Sequence, residues 1–238
     1  YLSVAGIINV VLNLFLVIVC NLSVAGVAIA TWISQAVSAI LVTRCLMRSE
    51  NGLKLTLSKI RIAPDILKGQ LKIGLPGGFQ SCMYNISNVL IQACINSFGT
   101  ATVAAATAYT KMDSIYWMIS GAFGVAITTF VGQNFGAREY GRMHKSVKVC
   151  MLMAAGTTIV TSVLFCVFAS PLISLFSTDA AVLQEGVSIM RQLAPWYITF
   201  VCIEILSGAI RGTGDSLIPM LITCGGVCVL RGVWIFAV

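Results

Sequence analysis

Apolar residues fall in seven long runs separated by short hydrophilic stretches: Leu2 to Cys20, Val24 to Leu46, Ile73 to Ser97, Ile115 to Gln133, Val147 to Ala169, Met190 to Ala209 and Leu217 to Val238. Each holds roughly 19 to 25 residues, enough at ~1.5 Å rise per residue for a helix to cross a ~30 Å hydrocarbon core. The pattern predicts an all-α, polytopic membrane helix bundle. The third run breaks the apolar rule. Ser81, Asn85, Asn88, Gln92 and Asn96 recur at spacings of four, three, four and four, which at ~100° per residue puts them within about 80° of one helix face. Lipid cannot satisfy such groups, so the row is expected to face other helices or a water-filled cavity. Interhelical hydrogen bonding is the plainer use of such a row. Pro76, Gly77 and Gly78 at its start permit bending.

The connections carry further signals. Asn21, Leu22 and Ser23 leave room only for a tight hairpin between the first two runs. Residues 47–71 hold the longest hydrophilic stretch, with Pro64 and Asp65 as a helix start and Ile66, Leu67 and Leu71 suggesting a short interfacial helix before the third run. Ser177 or Thr178 is the expected N-cap of a helix that Pro195 kinks. In Arg211-Gly-Thr-Gly-Asp-Ser216 the expected roles are a left-handed helix end at Gly212 and a cap at Asp215 or Ser216, with Pro219 in the first turn of the next helix. Residues 132–137 read as the C-terminal end of the fourth helix. No strand precedes them and no Lys-Ser/Thr follows, so they do not read as a phosphate loop.

Composition sharpens this. Hydrophobic residues are 58% of the 238 and charged residues 10%, where a soluble domain has about one quarter charged. The net charge of +7 gathers between the apolar runs without aromatic interleaving, which argues against nucleic acid as a partner. Twelve of the fifteen Lys and Arg lie in the connections at Arg44 to Lys72, Gly136 to Lys148 and Arg211, against two, Lys111 and Arg191, on the other side. By the positive-inside rule the linker and the loops near 136–148 and 211–216 are cytoplasmic in a cell membrane. The nine cysteines lie within or at the ends of apolar runs without metal-ligand spacing, and read as packing residues. His144, the only histidine, lies among Arg142, Lys145 and Lys148 and reads as solvated. No cofactor, metal or catalytic constellation is legible, which argues against a membrane-embedded enzyme.

Glu204 is the one acid placed well inside a predicted span, where a charge costs a few kcal/mol unless paired or hydrated. Tyr197, Phe200, Glu204, Ser207 and Arg211 share a face, so an ion-binding role toward a cavity competes with a salt bridge to Arg211 or Arg231. Gln80 and Tyr84, with the row and with Tyr197 and Phe200, are the cavity-lining candidates. A weak repeat relates Tyr1–Val19 to Met220–Val238 at an offset of 219, matching Leu2, Gly6, Val10 and Val19. Two-half repeats are a transporter signature.

The ordered set NLSVAGVAIATWISQAVSAIL, LKIGLPGGFQS, INSFGT, VGQNFGAREYGRM and AIRGTGDSLIPML resembles the multidrug and toxic compound extrusion (MATE) family. The resemblance implies twelve helices in two lobes and a monomeric antiporter that exports amphipathic, often cationic small molecules across the lipid bilayer, driven by H⁺ or Na⁺. This chain would then hold the last two helices of the N-lobe (1–46), the inter-lobe linker (47–71) and five helices of the C-lobe (72–238). The resemblance further implies coupling acids on the first, seventh and tenth helices. The seventh has Tyr84 and Asn85 where some members carry Glu, so Glu204 on the tenth is the coupling candidate. A lipid-linked oligosaccharide flippase of the same superfamily is the alternative, though it would want a basic cavity.

Overall fold

A computed structural model describes residues 2–48, 55–56, 61–229 and 233. Arg231, part of the linker and the end of the last run lie outside the described residues. The described helices fall into two compact units, 1–63 and 64–238.

The first unit is a helical hairpin. Helix α1 (Leu2–Leu14) continues as a π-helical turn, Phe15–Val19, and α2 spans Ser23–Arg48. Asn21 (φ 52°) and Ser23 (φ 44°) take left-handed conformations that reverse the chain over the short connection. Gly26, Ala30, Ser34 and Ser38, each four apart, are the buried residues of α2. This stripe of small side chains lets the helices approach closely, and Asn9 reaches across to donate to Ser34 Oγ at 3.1 Å.

The second unit contains α3 (Pro64–Asn96), α4 (Thr100–Gly136), α5 (Tyr140–Val167), the short α6 (Ala169–Ser174), α7 (Ala180–Leu193), α8 (Tyr197–Gly212) and α9 (Leu217–Thr223), which continues as a π-helical turn, Cys224–Val229. Helix α4 is its axis, packing on α3, α5, α6, α7 and α8. One core cluster joins Met112 and Tyr116 of α4 to Phe165, Ile173, Met190 and Tyr197. A second joins Ile127 and Val131 to Ala154, Val201 and Ile205.

Among the described residues, Ser23–Arg48, Thr100–Gly136, Tyr140–Val167 and the nearly continuous Ala180–Gly212 are four helices long and apolar enough to cross a membrane. The outer surface agrees, with side chains such as Trp32 (81% exposed) and Leu152 (74%) turned outward. Helix α3, at 33 residues, is long enough but falls outside this group because its polar row lowers its hydropathy.

Several local expectations are corrected. Helix α3 begins at Pro64 as expected but runs unbroken through Pro76, so Ile66, Leu67 and Leu71 belong to α3 itself and not to a separate interfacial helix. Helix α4 starts at Thr100, well before Ile115, because TATVAAATAY contains no Gly or Pro to interrupt it. Asp179, not Ser177 or Thr178, caps α7, accepting from Ala181 N at 2.9 Å, while Ser177 Oγ accepts from Asp179 N. Gly214 (φ 92°) takes the left-handed turn expected of Gly212. Gly212 stays in α8, where an added Cβ would lie 2.7 Å from the Thr128 carbonyl. Asp215 caps α9, accepting from Leu217 N at 3.0 Å and Ile218 N at 3.3 Å. Pro195 kinks the helix as expected, through a 3-10 turn at Ala194–Trp196 between α7 and α8.

Candidate functional site

Helices α4 and α8 meet along a seam that glycines make narrow. A Cβ on Gly208 would lie 2.7 Å from Ile127 Cγ2 and 3.0 Å from the Gly124 carbonyl, so no larger residue fits. Thr128 Oγ1 sits 2.8 Å from the Gly124 carbonyl and 3.0 Å from the Gly208 carbonyl, and bonds the two helices without a long side chain. Close backbone approach through small residues is how membrane helices gain packing where lipid supplies no hydrophobic drive.

Glu204 occupies the notch that Gly124 leaves, since a Cβ there would collide with its carboxylate. Arg211 Nη2 lies 3.4 Å from Glu204 Oε1, with the two side chains 29% and 24% exposed. Seven residues apart on one helix, they share a face, so the intrahelical ion pair is the arrangement found. Among the described residues it is the sole ion pair.

Asp113 lies to one side of this notch along α4, two residues before the start of the fourth apolar run at Ile115. Tyr197 Oη donates to Asp113 Oδ1 at 2.5 Å and Trp117 Nε1 donates to Oδ2 at 2.8 Å. Tyr109 Oη is 2.9 Å from Tyr197 Oη and 3.3 Å from Asp113 Oδ1. The support for this cluster is rigid. The Tyr197 ring stacks on Tyr116 with centroids 3.9 Å apart and planes 5° from parallel, and Tyr116 Oη donates to the Tyr197 carbonyl at 3.0 Å. Ser162 of α5 donates to the Ala194 carbonyl at 2.8 Å, holding the kink from which Tyr197 emerges. The signal available in the sequence was the four-residue spacing of Tyr109, Asp113 and Trp117.

The other candidates separate into two groups. Ser81, Asn85, Asn88, Gln92 and Asn96 are all exposed on the second unit. Three of their bonds stay within α3: Ser81 Oγ to the Gly77 carbonyl, Asn85 Nδ2 to the Ser81 carbonyl and Gln92 Nε2 to Asn96 Oδ1, at 3.0, 2.9 and 3.0 Å. Tyr84 is half-buried beside them. Gln80 is different: it is 8% exposed and donates to Thr223 Oγ1 of α9 at 2.7 Å. With Ser87, also buried, it marks the packing face of α3, about 120° around the helix from the row. Tyr197, expected to line a cavity, is buried in the Asp113 cluster, and Phe200 is half-buried edge-on to Trp117 at 4.5 Å. No group of three metal-ligating side chains occurs among the described residues.

The sequence model of the MatE family matches residues 76–235. The chain belongs to the MatE family. It is 24% identical over 206 residues to the probable multidrug resistance protein YoeA of Bacillus subtilis (strain 168), covering 85% of this chain and 44% of that protein. To multidrug and toxin extrusion protein 2 of Oryctolagus cuniculus it is 26% identical over 230 residues, covering 90% and 35%. The outward-facing conformation of a multidrug resistance MATE family transporter of the MOP superfamily superposes with a TM-score of 0.87 at 20% identity, over 96% of this chain and 52% of that one. The chain thus spans about half the length of the MatE proteins it matches, or less. Family membership places it with membrane transporters and not with enzymes.

Proposed function

We propose that the chain forms the end of the first lobe and most of the second lobe of a cation-coupled antiporter that exports drugs or other amphipathic, often cationic organic compounds by alternating access. The observation that carries this is the exposed row on α3. On a helix that also exposes large apolar side chains such as Ile86 and Val89, five polar side chains in line have no use against lipid, and they suit a wetted cavity wall that substrate touches. Family membership and the multidrug names of the relatives support the same reading.

In this reading the linker at 47–71 and the loops near 136–148 and 211–216 face the cytoplasm, and the transporter works as a monomer. The driving ion, H⁺ or Na⁺, competes with Arg211 for Glu204, and the exchange of one partner for the other biases the α4–α8 seam between two states. Efflux of a cationic dye from cells expressing the intact protein, measured against imposed Na⁺ and pH gradients, tests it. Glu204→Gln should uncouple efflux from the driving gradient. Efflux with unchanged coupling in that variant would sink the role of Glu204.

A further inference from the structure

We propose that Asp113, held by Tyr109, Tyr197 and Trp117, is a second and separate proton-binding site of the C-terminal unit, distinct from Glu204; the coupling role given to it rests on the exporter reading above. Three features of the cluster carry this.

The first is charge. Glu204 has Arg211, so protonating it strands a guanidinium. Asp113 has no Lys, Arg or His nitrogen within 4 Å among the described residues. Among the described residues no cationic group at that range opposes a proton there. The surrounding helices confirm the isolation: Tyr197 is the group that α8 brings to the carboxylate, while Glu204 on the same helix is engaged by Arg211. Arg191 of α7 is directed to the Cys166 carbonyl of α5 at 3.3 Å. Glu185 of α7 lies six residues before Arg191, Lys111 of α4 is exposed, α6 carries no titratable residue, and α3 contributes Cys82, Tyr84 and Cys94 to its central stretch.

The second is proton accounting. Tyr109 Oη, Tyr197 Oη and Asp113 Oδ1 form a triangle with sides of 2.9, 2.5 and 3.3 Å. With the carboxylate ionised, both tyrosine hydroxyls donate to Oδ1, Tyr197 at 2.5 Å and Tyr109 at 3.3 Å. A proton taken from water bonds to Oδ1, the new O–H donates to Tyr109 Oη, and the Tyr109 hydroxyl turns to donate to Tyr197 Oη, 2.9 Å away. Each of the three oxygens then donates once and accepts once, with no heavy atom displaced. Both charge states are satisfied.

The third is position. Tyr197 is the first residue of α8, directly after the 3-10 turn, so the bond to Asp113 clamps the kinked end of α8 onto α4. A charge-assisted bond is roughly twice as strong as a neutral one, so protonation weakens the clamp. The half-buried carboxylate and the exposed Trp117 give water a route to it.

Trp117 is a reporter within hydrogen-bond distance of the carboxylate. In the intact protein in lipid nanodiscs, subtracting the emission of the Trp117→Phe variant isolates its signal. That signal should change in one step as the pH is varied, persist in Glu204→Gln and vanish in Asp113→Asn. Asp113→Glu and Tyr109→Phe, which keep the cluster packed, should each move the midpoint. A step that survives Asp113→Asn, that is lost in Glu204→Gln, or that keeps its midpoint in both conservative variants would overturn the proposal, as would its absence from the unmodified protein. The exporter reading fails separately: a step that behaves as described, in a protein whose dye efflux ignores a pH gradient, leaves the proton site standing and removes its coupling role.

Discussion

On α3 the side chains of the row from Ser81 to Asn96 point away from the unit that carries them, whereas on the α4–α8 seam polar side chains turn inward and bond to one another. The row from Ser81 to Asn96 bonds within its own helix where its partners are defined. The seam instead places Thr128, Glu204, Asp113 and two tyrosines between helices, with glycines bringing the backbones close. Polar groups in lipid must be satisfied, and the two solutions differ in what they leave available. A seam whose donors and acceptors are matched holds structure and stores charge. A row whose side chains are turned outward can meet water or a ligand.

Substitutions can break that contrast, and they should do so unequally. The largest effect is expected at Gly208→Val, whose new side chain meets Ile127 and the Gly124 backbone. Overpacking of this kind costs about 1–3 kcal/mol, and the upper end is expected because backbone cannot move aside. Thermal unfolding in detergent should show a markedly lowered Tm. Tyr197→Phe is next: it preserves the stack on Tyr116 but removes the hydroxyl that bridges Tyr109 and Asp113, for a loss of about 1–3 kcal/mol. A Tm equal to that of the unmodified protein would show that the cluster is not a clamp. At the far end, Asn85→Ala should stay within about 0.5 kcal/mol, since its side chain is exposed and bonds only the preceding turn of its own helix.

How far the sequence reached follows the same division. The α3 row was legible because helical periodicity marks a face whatever that face meets. Its neighbour Gln80 was not separable from the row by composition, and its burial depends on Thr223, 143 residues later. Glu204 stood out as an acid inside an apolar run. Asp113 did not, because it precedes the apolar run that begins at Ile115, and only the alanine-rich start of α4 brings it inside a helix. Gly212 and Gly214 show the limit plainly. Both suit a helix end, and which one turns left-handed is decided by the closeness of Thr128 and Val131 to Gly212.

The central claim is that the α3 row faces water while the apolar core of the seam, at Ile127 and Ile205, does not. Single cysteines at Asn85, Asn88 and Gln92, and at Ile127 and Ile205 on the seam, in a cysteine-free background of the intact protein, can be challenged with a membrane-impermeant, water-soluble thiol reagent. The account predicts rapid labelling at the three row positions, slowed by a transported dye, and none at the two buried in the seam. Labelling of the seam with protection of the row would contradict it.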